Sequence, residues 1–369
     1  MKATCDREKM AAAFQMAAGV ASGRTPKPIL ENVKLELAAD RAILMATDLE
    51  IGIRIEVPGF EVEAPGSVVL PVKRVGPILR ESSDEKLLIE SDGNRTRILG
   101  ARSEFQLPTQ NPDEFPLVTA FEEKSYHQLP GRFLRELIRR TIFATDPESS
   151  RYALGGVLLE LNENEIVAVG TDGRRLARQL GPAQSVGGHR TTETTVVPTK
   201  ALQLMERALA DNEEDVQLAA RENAVLLRSQ RAVIYSRLVE GRYPRWRDVF
   251  PKQSGAVQIE MVVGPFHSAV RQAAIVTSDE HRGVDFAFGE GKVVLTAHGA
   301  EAGESHVELP VAYDGQTILV RLDPRFLIDF LRVLEPDKTF TFTLRDPESA
   351  VICTTDDGYA YVIMPLSRE

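Results

Sequence analysis

Hydrophobic positions along the chain follow two periods that take turns. NVKLEL (32–37), GVLLEL (156–161) and GVDFAF (283–288) alternate apolar and polar residues, the period of a strand with one buried face. A second alternating stretch follows each: AILMATD, IVAVGTD and KVVLTAH. Then come VVLPVK, TVVPTK and ILVRLD, each running into a 3.6-residue pattern: VKRVGPILRES, TKALQLMERAL and DPRFLIDFLRVL. Further strands end in SEFQLPT, IYSRLVEG and YAYVIMP. Each segment also opens on a strand and a helix, as in REKMAAAFQMAAGVAS, GRFLRELIRRTIFAT and GPFHSAVRQAAIVTS. In the middle one, Phe133, Leu134, Leu137, Ile138 and Ile142 recur at helical spacing.

These matches occur in order at nearly constant offsets. Val33, Val157 and Val284 are spaced by 124 and 127, and Asp48, Asp172 and His298 align at 124 and 126. An ordinary alternation of strands and helices does not produce matched offsets, so the chain reads as three repeats. The fold expected is α+β: three repeated domains, each with two helices packed on antiparallel sheets. Boundaries fall in the polar EEKSYHQ and in PKQSGA, giving domains 1–125, 126–253 and 254–369.

Charge is unevenly spread over this pattern. The chain of 369 residues carries a net charge of −10, which by itself argues against a nucleic-acid partner. The six helical segments (6–24, 72–81, 131–143, 199–210, 264–276 and 321–334) nevertheless sum to +9, leaving −19 for the rest. Lys and Arg are good helix formers, but so is Glu, which is sparse there. Basic helices on one side and acidic strands and loops on the other suit a repeat protein with two faces. If the repeats close into a ring, the basic face lines the hole and holds a threaded polyanion without reading sequence. Cys5 and Cys353 are the two cysteines, too few for a disulfide framework or zinc site and in keeping with a reducing cytoplasm. No apolar run has membrane-span length, and the first residues do not form a secretory signal.

The stretch TDGRRLA (171–177) is the candidate for chemistry. Asp-Gly signals a turn, and two adjacent arginines suit an anion. Catalytic loop, anion site and binding surface are all open readings of these residues. Asp172 with Arg174 and Arg175 has the groups for acid–base or phosphoryl work, but no phosphate loop, GxSxG elbow or HExxH accompanies them. The histidines at 127, 189, 267, 281, 298 and 306 show no metal spacing. No cofactor is expected.

SRYALGGVLLEL, VGTDGRRLAR, SRLVEGRYPRWRDVFP and the terminal YAYVIMPL, in register with the repeat, resemble the bacterial β sliding clamps, the β subunits of DNA polymerase III. The resemblance spans the whole chain. It implies a head-to-tail homodimer whose six domains form a ring around duplex DNA, with helices inside and sheets outside. It implies a processivity factor rather than an enzyme. The partners implied are the replicative polymerase subunit, the clamp loader and other proteins with clamp-binding motifs, in the cytoplasm and with no membrane. TDGRRLA then belongs to a peptide pocket between the second and third domains: Leu154, Thr171, Gly173, Arg174, Arg175, Leu176, Pro244, Val249, Val362, Met364, Pro365 and Leu366. Tyr359, Tyr361 and Ile363 would face the core, leaving Val362 and Met364 on the other side. The DNA contacts implied are Arg24, Lys73, Arg74, Arg80, Arg135, Arg139, Tyr152 and Lys200. Phe105 and Leu107 of one chain would meet Ile275 and Val276 of the other. The chain departs from the family pattern at Arg174, where His is common, at Asp248, where Arg is frequent, and in its LSRE ending. A trimeric clamp of two-domain chains and a DNA-free scaffold are the alternative assemblies.

Overall fold

The computed structural model describes residues 1–21, 23, 25–149, 153–191, 194–209, 214–250, 254–279, 281–299 and 302–367. Six α-helices lie among them: α1 (Arg7–Ala18), α2 (Val72–Glu81), α3 (Gly131–Ile142), α4 (Thr199–Ala208), α5 (Val263–Ala273) and α6 (Pro324–Arg332). Each follows directly on a strand, as the sequence pattern predicts. Local chemistry sets several of the ends. Asp6 caps α1 by accepting from the Lys9 amide at 3.1 Å, and Asp323 caps α6 with Pro324 at its first position. The first helix stops at Ala18, short of the expected 24, where Gly19 takes over the cap.

The chain divides into two compact units. One comprises Met1–Arg135, Asn162–Asn164 and Ala183–Leu238; the other comprises Glu136–Leu161, Glu165–Pro182 and Val239–Glu369. The middle repeat is therefore shared, and the strand pairings give the reason. In the first unit a five-stranded sheet runs Phe60–Ala64, Lys2–Asp6, Lys86–Ser91, Arg95–Leu99, Glu104–Pro108. A nine-stranded sheet joins the first two repeats through Ala232–Arg237 beside Ile51–Glu56, with Ile234 opposite Ile53. In the second unit, seven consecutive strands of one sheet join the last two repeats. Their seam sets Arg175–Pro182 beside Tyr359–Ile363, with Ala177 opposite Tyr361. A separate four-stranded sheet there runs Gly303–Pro310, Lys292–Gly299, Val284–Gly289, Ile318–Leu322. Every pairing named is antiparallel.

The ladders define which residues correspond between repeats. Leu35, Leu159 and Phe286 pair with Leu44, Ala168 and Leu295, at offsets of 124 and 127 throughout. On the next hairpin Thr47, Thr171 and His298 pair with Gly52, Leu176 and Glu304. His298 thus corresponds to Thr171, and the alignment of His298 with Asp48 and Asp172 is off by one. The ladders keep the offset of 127 through this hairpin, so the expected 126 was one residue short.

Each unit has its own core. Phe266, Phe286, Phe288, Phe330, Phe342, Tyr359 and Tyr361 are buried in the second, and Tyr361 stacks on Phe330 at 5.2 Å with 7° between planes. In the first unit His127 and His189 are buried with their Nδ1 atoms 2.7 Å apart. The hydrogen bonds assign the tautomers. His127 Nε2–H donates to the Asn162 carbonyl, His189 Nδ1–H donates to His127 Nδ1, and the Ala220 amide donates to His189 Nε2 at 3.0 Å. Burial holds His127 below the ordinary imidazole value.

Candidate functional site

The turn at TDGRRLA is built by its own side chains. Asp172 Oδ1 accepts from the amides of Arg174 and Arg175 at 2.9 and 3.0 Å. Thr171 Oγ1 accepts from the Gly173 amide at 3.1 Å and donates to the Arg175 carbonyl at 2.6 Å. The loop so closed puts Gly173 at φ +88°, the left-handed region that glycine enters without strain. The first repeat forms the same turn with Thr47 and Asp48, and there Leu49 occupies that region at φ +78°.

The two arginines of the turn have different fates. Arg175 is directed into the protein. Its guanidinium donates to Asp172 at 3.0 Å, Asp329 at 2.7 Å and the Phe143 carbonyl at 2.7 Å, and lies 4.6 Å over the Phe326 ring. Burial works against its charge, but Tyr361, Asp329 and Asp172 outweigh burial and hold its pKa above the usual value. These internal partners tie the Arg175 guanidinium to the turn and to the residues behind it. Arg174 is exposed and its carbonyl accepts from the Met364 amide at 2.9 Å, bringing the end of the chain beside the turn.

The remaining pocket candidates gather in the same unit. Leu154, Thr171 and Leu176 are buried, Pro244, Pro365 and Leu366 half-buried, and Gly173 exposed. Val249 is 39% exposed and Met364 44%, so these two form the open apolar surface. Val362, expected on the side away from Tyr359, Tyr361 and Ile363, is 1% exposed. It sits on a strand with neighbours on both sides, opposite Leu176 and Ile352, and both faces of that strand are covered. The segment leading into Val249 is fastened by Tyr243, whose hydroxyl donates to the Val169 carbonyl at 2.7 Å, and by Trp246, whose Nε1 donates to Glu160 at 3.0 Å. Arg247 holds the same carboxylate at 2.6 Å. Burial alone would raise the Glu160 pKa; the hydrogen bonds from Arg247 and Trp246 overcome this and lower it.

The polyanion candidates are helix-borne and mostly exposed. Lys73 pairs with Glu31 at 2.7 Å, Arg80 with Glu81 at 3.0 Å and Lys200 with Asp48 at 2.5 Å, while Arg74 is exposed on α2. Arg139 is exposed on α3. Arg135 differs: it is half-buried and donates to the Leu209 carbonyl just past α4. Arg24 and Tyr152 lie outside the described residues. Aligning α2, α4 and α6 by their first residues puts Lys73, Lys200 and Arg325 at one position and Arg80, Arg207 and Arg332 at another. Likewise Arg139 of α3 corresponds to Arg271 of α5. Arg207, Arg271, Arg325 and Arg332 are exposed cations that the sequence reading missed, although the repeat offset itself would have found them.

Among the described residues no three His, Cys, Asp or Glu side chains cluster to hold a metal, and no helix is long and apolar enough to cross a membrane. The comparisons with known proteins address the whole chain. Residues 1–119, 128–245 and 247–367 match, in order, the N-terminal, central and C-terminal domains of the DNA polymerase III beta subunit. The chain belongs to the DNA polymerase III beta subunit family. Its relatives include the beta sliding clamps of Pseudomonas putida and Caulobacter vibrioides, each 29% identical over 375 residues, covering 99% of this chain and 100% of the relative. Among solved beta subunits, that of Pseudomonas aeruginosa has a TM-score of 0.91 at 27% identity, with all of both chains covered. The Bacillus subtilis clamp, at 24% identity with a TM-score of 0.93 and all of both chains covered, shares the fold. A Pseudomonas aeruginosa clamp bound to griselimycin has a TM-score of 0.92 at 27% identity, again over all of both chains. As in that family, the chain comprises three clamp domains of helices and antiparallel sheets.

Proposed function

We propose that two copies of this chain close head-to-tail into a ring that encircles duplex DNA, and that the groove around Met364 and Val249 tethers a polymerase and other DNA enzymes by short peptides. The three domains are taken as 1–125, 126–253 and 254–369. The protein works as a cytoplasmic processivity factor without chemistry of its own, and a clamp loader opens the ring. Exposed cations on the helices, including Lys73, Arg74, Arg80, Arg139, Lys200 and the repeat-related Arg207, Arg271, Arg325 and Arg332, supply weak, sequence-independent phosphate contacts.

The observation that carries the ring is a seam used twice and left open once. In both internal seams the last strand of a repeat's first sheet pairs with one strand of the preceding repeat: Ala232–Arg237 with Ile51–Glu56, and Tyr359–Ile363 with Arg175–Pro182. The first repeat's equivalent, Glu104–Pro108, and the third repeat's, Gly303–Pro310, are sheet edges. Following the ladders, Phe105 corresponds to Ile234 and Tyr361. Those two are fully buried, whereas Phe105 is 36% exposed. Phe143, just after α3, packs 5.6 Å from Tyr361; its counterpart after α5 is Ile275, which is 77% exposed. Phe105 with Leu107 on one chain therefore fits Ile275 with Val276 on the next. A cavity of about 630 Å³ beside Phe105, lined also by Pro77, Ile78 and Arg102, is the receiving space. Such a heterologous contact closes a ring when its rotation fits, and pairing covers an otherwise exposed edge.

The repeat also fixes the register. Val233 faces Arg54 and Ala360 faces Arg178, so Glu104 of one chain should face His306 of the other. Antiparallel partners lie about 4.5–5.5 Å apart, within disulfide reach. The native thiols do not compete, since Cys5 and Cys353 are buried. A chain carrying Glu104→Cys and His306→Cys should oxidise to a covalent ring. Oxidised after loading on nicked circular DNA, the ring should stay bound in high salt until the DNA is linearised. A protein that is monomeric at micromolar concentration, or retained equally on linear DNA with free ends, would exclude the reading.

A further inference from the structure

We propose that the outer edge of the strand Val257–Val262 takes an extended segment of a partner protein as an added antiparallel strand, with a basic residue set opposite Glu260 and an apolar residue on each side of it. The same edge is covered in the other two repeats. The amide just after the opening strand donates to a carbonyl across the sheet in all three: Arg7 to Glu85 at 2.9 Å, Gly131 to Glu214 at 2.7 Å and Val263 to Lys338 at 3.0 Å. These bonds align the opening strands, so Thr4, Gln128 and Glu260 correspond. In the first repeat Phe60–Ala64 lies along the far edge of Lys2–Asp6, with Glu61 opposite Thr4. In the second, Gln184–Val186 lies along Tyr126–Pro130, with Gln184 opposite Gln128. In the third, Val257–Val262 pairs only with Thr339–Leu344 among the described residues and ends its sheet.

The missing strand has a local cause. In the first two repeats it comes from the connections 57–65 and 183–194. The third repeat's connection, 311–317, is shorter and folds back on its own hairpin: the Val311 amide donates to the Gly291 carbonyl at 2.8 Å and the Gly291 amide to the Tyr313 carbonyl at 2.9 Å. In an antiparallel ladder every second residue turns its N–H and C=O away from the paired strand. Because Val263 is bonded inward, the residues that turn outward are Gln258, Glu260 and Val262. All three also have exposed side chains, while Ile259 and Met261 between them are buried. Such a row of unpaired backbone groups is a template for another strand. The first repeat shows what fits: Phe60 and Val62 are half-buried and Glu61 between them is exposed. Opposite Glu260 an acidic residue would repel, whereas a Lys or Arg makes a favourable cross-strand pair. Glu260 has no ion pair among the described residues to compete with it. The proposed ring seam uses the edge Gly303–Pro310 of the other sheet, so the two contacts do not share an edge.

The test uses the full-length protein and fluorescent synthetic copies of residues 59–64, one unaltered and one carrying Glu61→Lys. Anisotropy titration to millimolar peptide should show saturable binding of the lysine peptide, with a Kd about two- to fivefold lower than that of the unaltered one. Glu260→Lys in the protein, at an exposed position, should reverse that order. Hydrogen exchange should slow across 257–262 when the lysine peptide is bound, and N-methylation of the peptide at its lysine should abolish both effects. No binding at millimolar peptide, binding that survives N-methylation, exchange unchanged at 257–262, or an order that Glu260→Lys leaves as it was overturns the proposal. Association of the protein with itself through this edge, seen without peptide and altered by Glu260→Lys, also overturns it, because the occupant is then a second copy of the chain.

Discussion

Replacing Arg175 by Met should destabilise the second unit without opening the site to solvent. The Arg175 side chain is only 11% exposed, and three groups depend on it: Asp172, Asp329 and the Phe143 carbonyl. Breaking a buried ion pair from one side costs about 3–5 kcal/mol because a charge is stranded. Here the stranded carboxylates keep some water, with 19% and 28% of their side-chain surface exposed, so the cost is discounted to about 2–3 kcal/mol. Methionine keeps much of the stem packing against Phe326 and Phe143, so little of this is lost contact area. In a unit of this size each kcal/mol moves the melting midpoint by roughly 2–4 °C, which gives an expected fall of about 5–10 °C. The assay is thermal unfolding followed by near-ultraviolet circular dichroism, with Asp329→Asn as the second arm of a double-mutant cycle. Because Arg175 and Asp329 touch, their effects should be non-additive by about 1 kcal/mol or more. A midpoint within 1 °C of the unaltered protein, or strict additivity, would show that the network is dispensable and that Arg175 is free for another role.

Acid should weaken the first unit. His127 has a folded pKa below its ordinary 6.5, so the unfolded chain takes up a proton that the folded chain refuses. Stability is complete above about pH 6.5 and falls as the pH drops through it, by at most ~1.4 kcal/mol per pH unit for one proton. Urea unfolding at pH 8 and pH 5 measures the slope, and His127→Gln should flatten it; an unchanged slope would place the acid sensitivity elsewhere. Removing residues 365–369 should weaken an anchor peptide at least tenfold, about 1.4 kcal/mol, with dimerisation intact. The reason is that Pro365 and Leu366 are half-buried beside the groove, with the Leu366 amide bound to the Arg321 carbonyl at 2.8 Å. Unchanged affinity in a folded dimer would remove the tail from the site.

The helices and hairpins were legible because each has a face to bury, and burial imposes a period on the sequence. Leu35 and Leu44, Leu159 and Ala168, Phe286 and Leu295 meet across matched ladders for that reason. The His298 offset was not legible, since Ile166–Thr171 are all buried and a strand without alternation does not fix its own register. Nor did the sequence reveal that Ala232–Arg237 and Tyr359–Ile363 would each join a neighbouring repeat's sheet. A strand with both edges paired and a strand with one edge open alternate in the same way. Phe105 shows this well: it reads like Ile234 and Tyr361, and only the pairing distinguishes the exposed residue from the buried ones.

At the site, residue type and position were readable but direction was not. TDGRRLA announces a turn and two cations; which cation turns inward depends on Asp329, 154 residues away, and on the aromatic rings of Phe143 and Phe326. Strand alternation then sorts the rest. Arg174, Leu176 and Arg178 share one face, while Arg175 and Ala177 share the other with Tyr361 across the seam. Val362 was expected on the side away from Tyr359, Tyr361 and Ile363; that side is covered as well, on a strand that Arg175–Pro182 and Val351–Thr354 flank. The same correction explains why the open apolar surface lies at Val249 and Met364. Both belong to segments without a full ladder, one in a short 3₁₀ turn and one just past the final strand. Side chains there are held at the backbone and left uncovered at the tip, which is the condition a transient peptide contact requires.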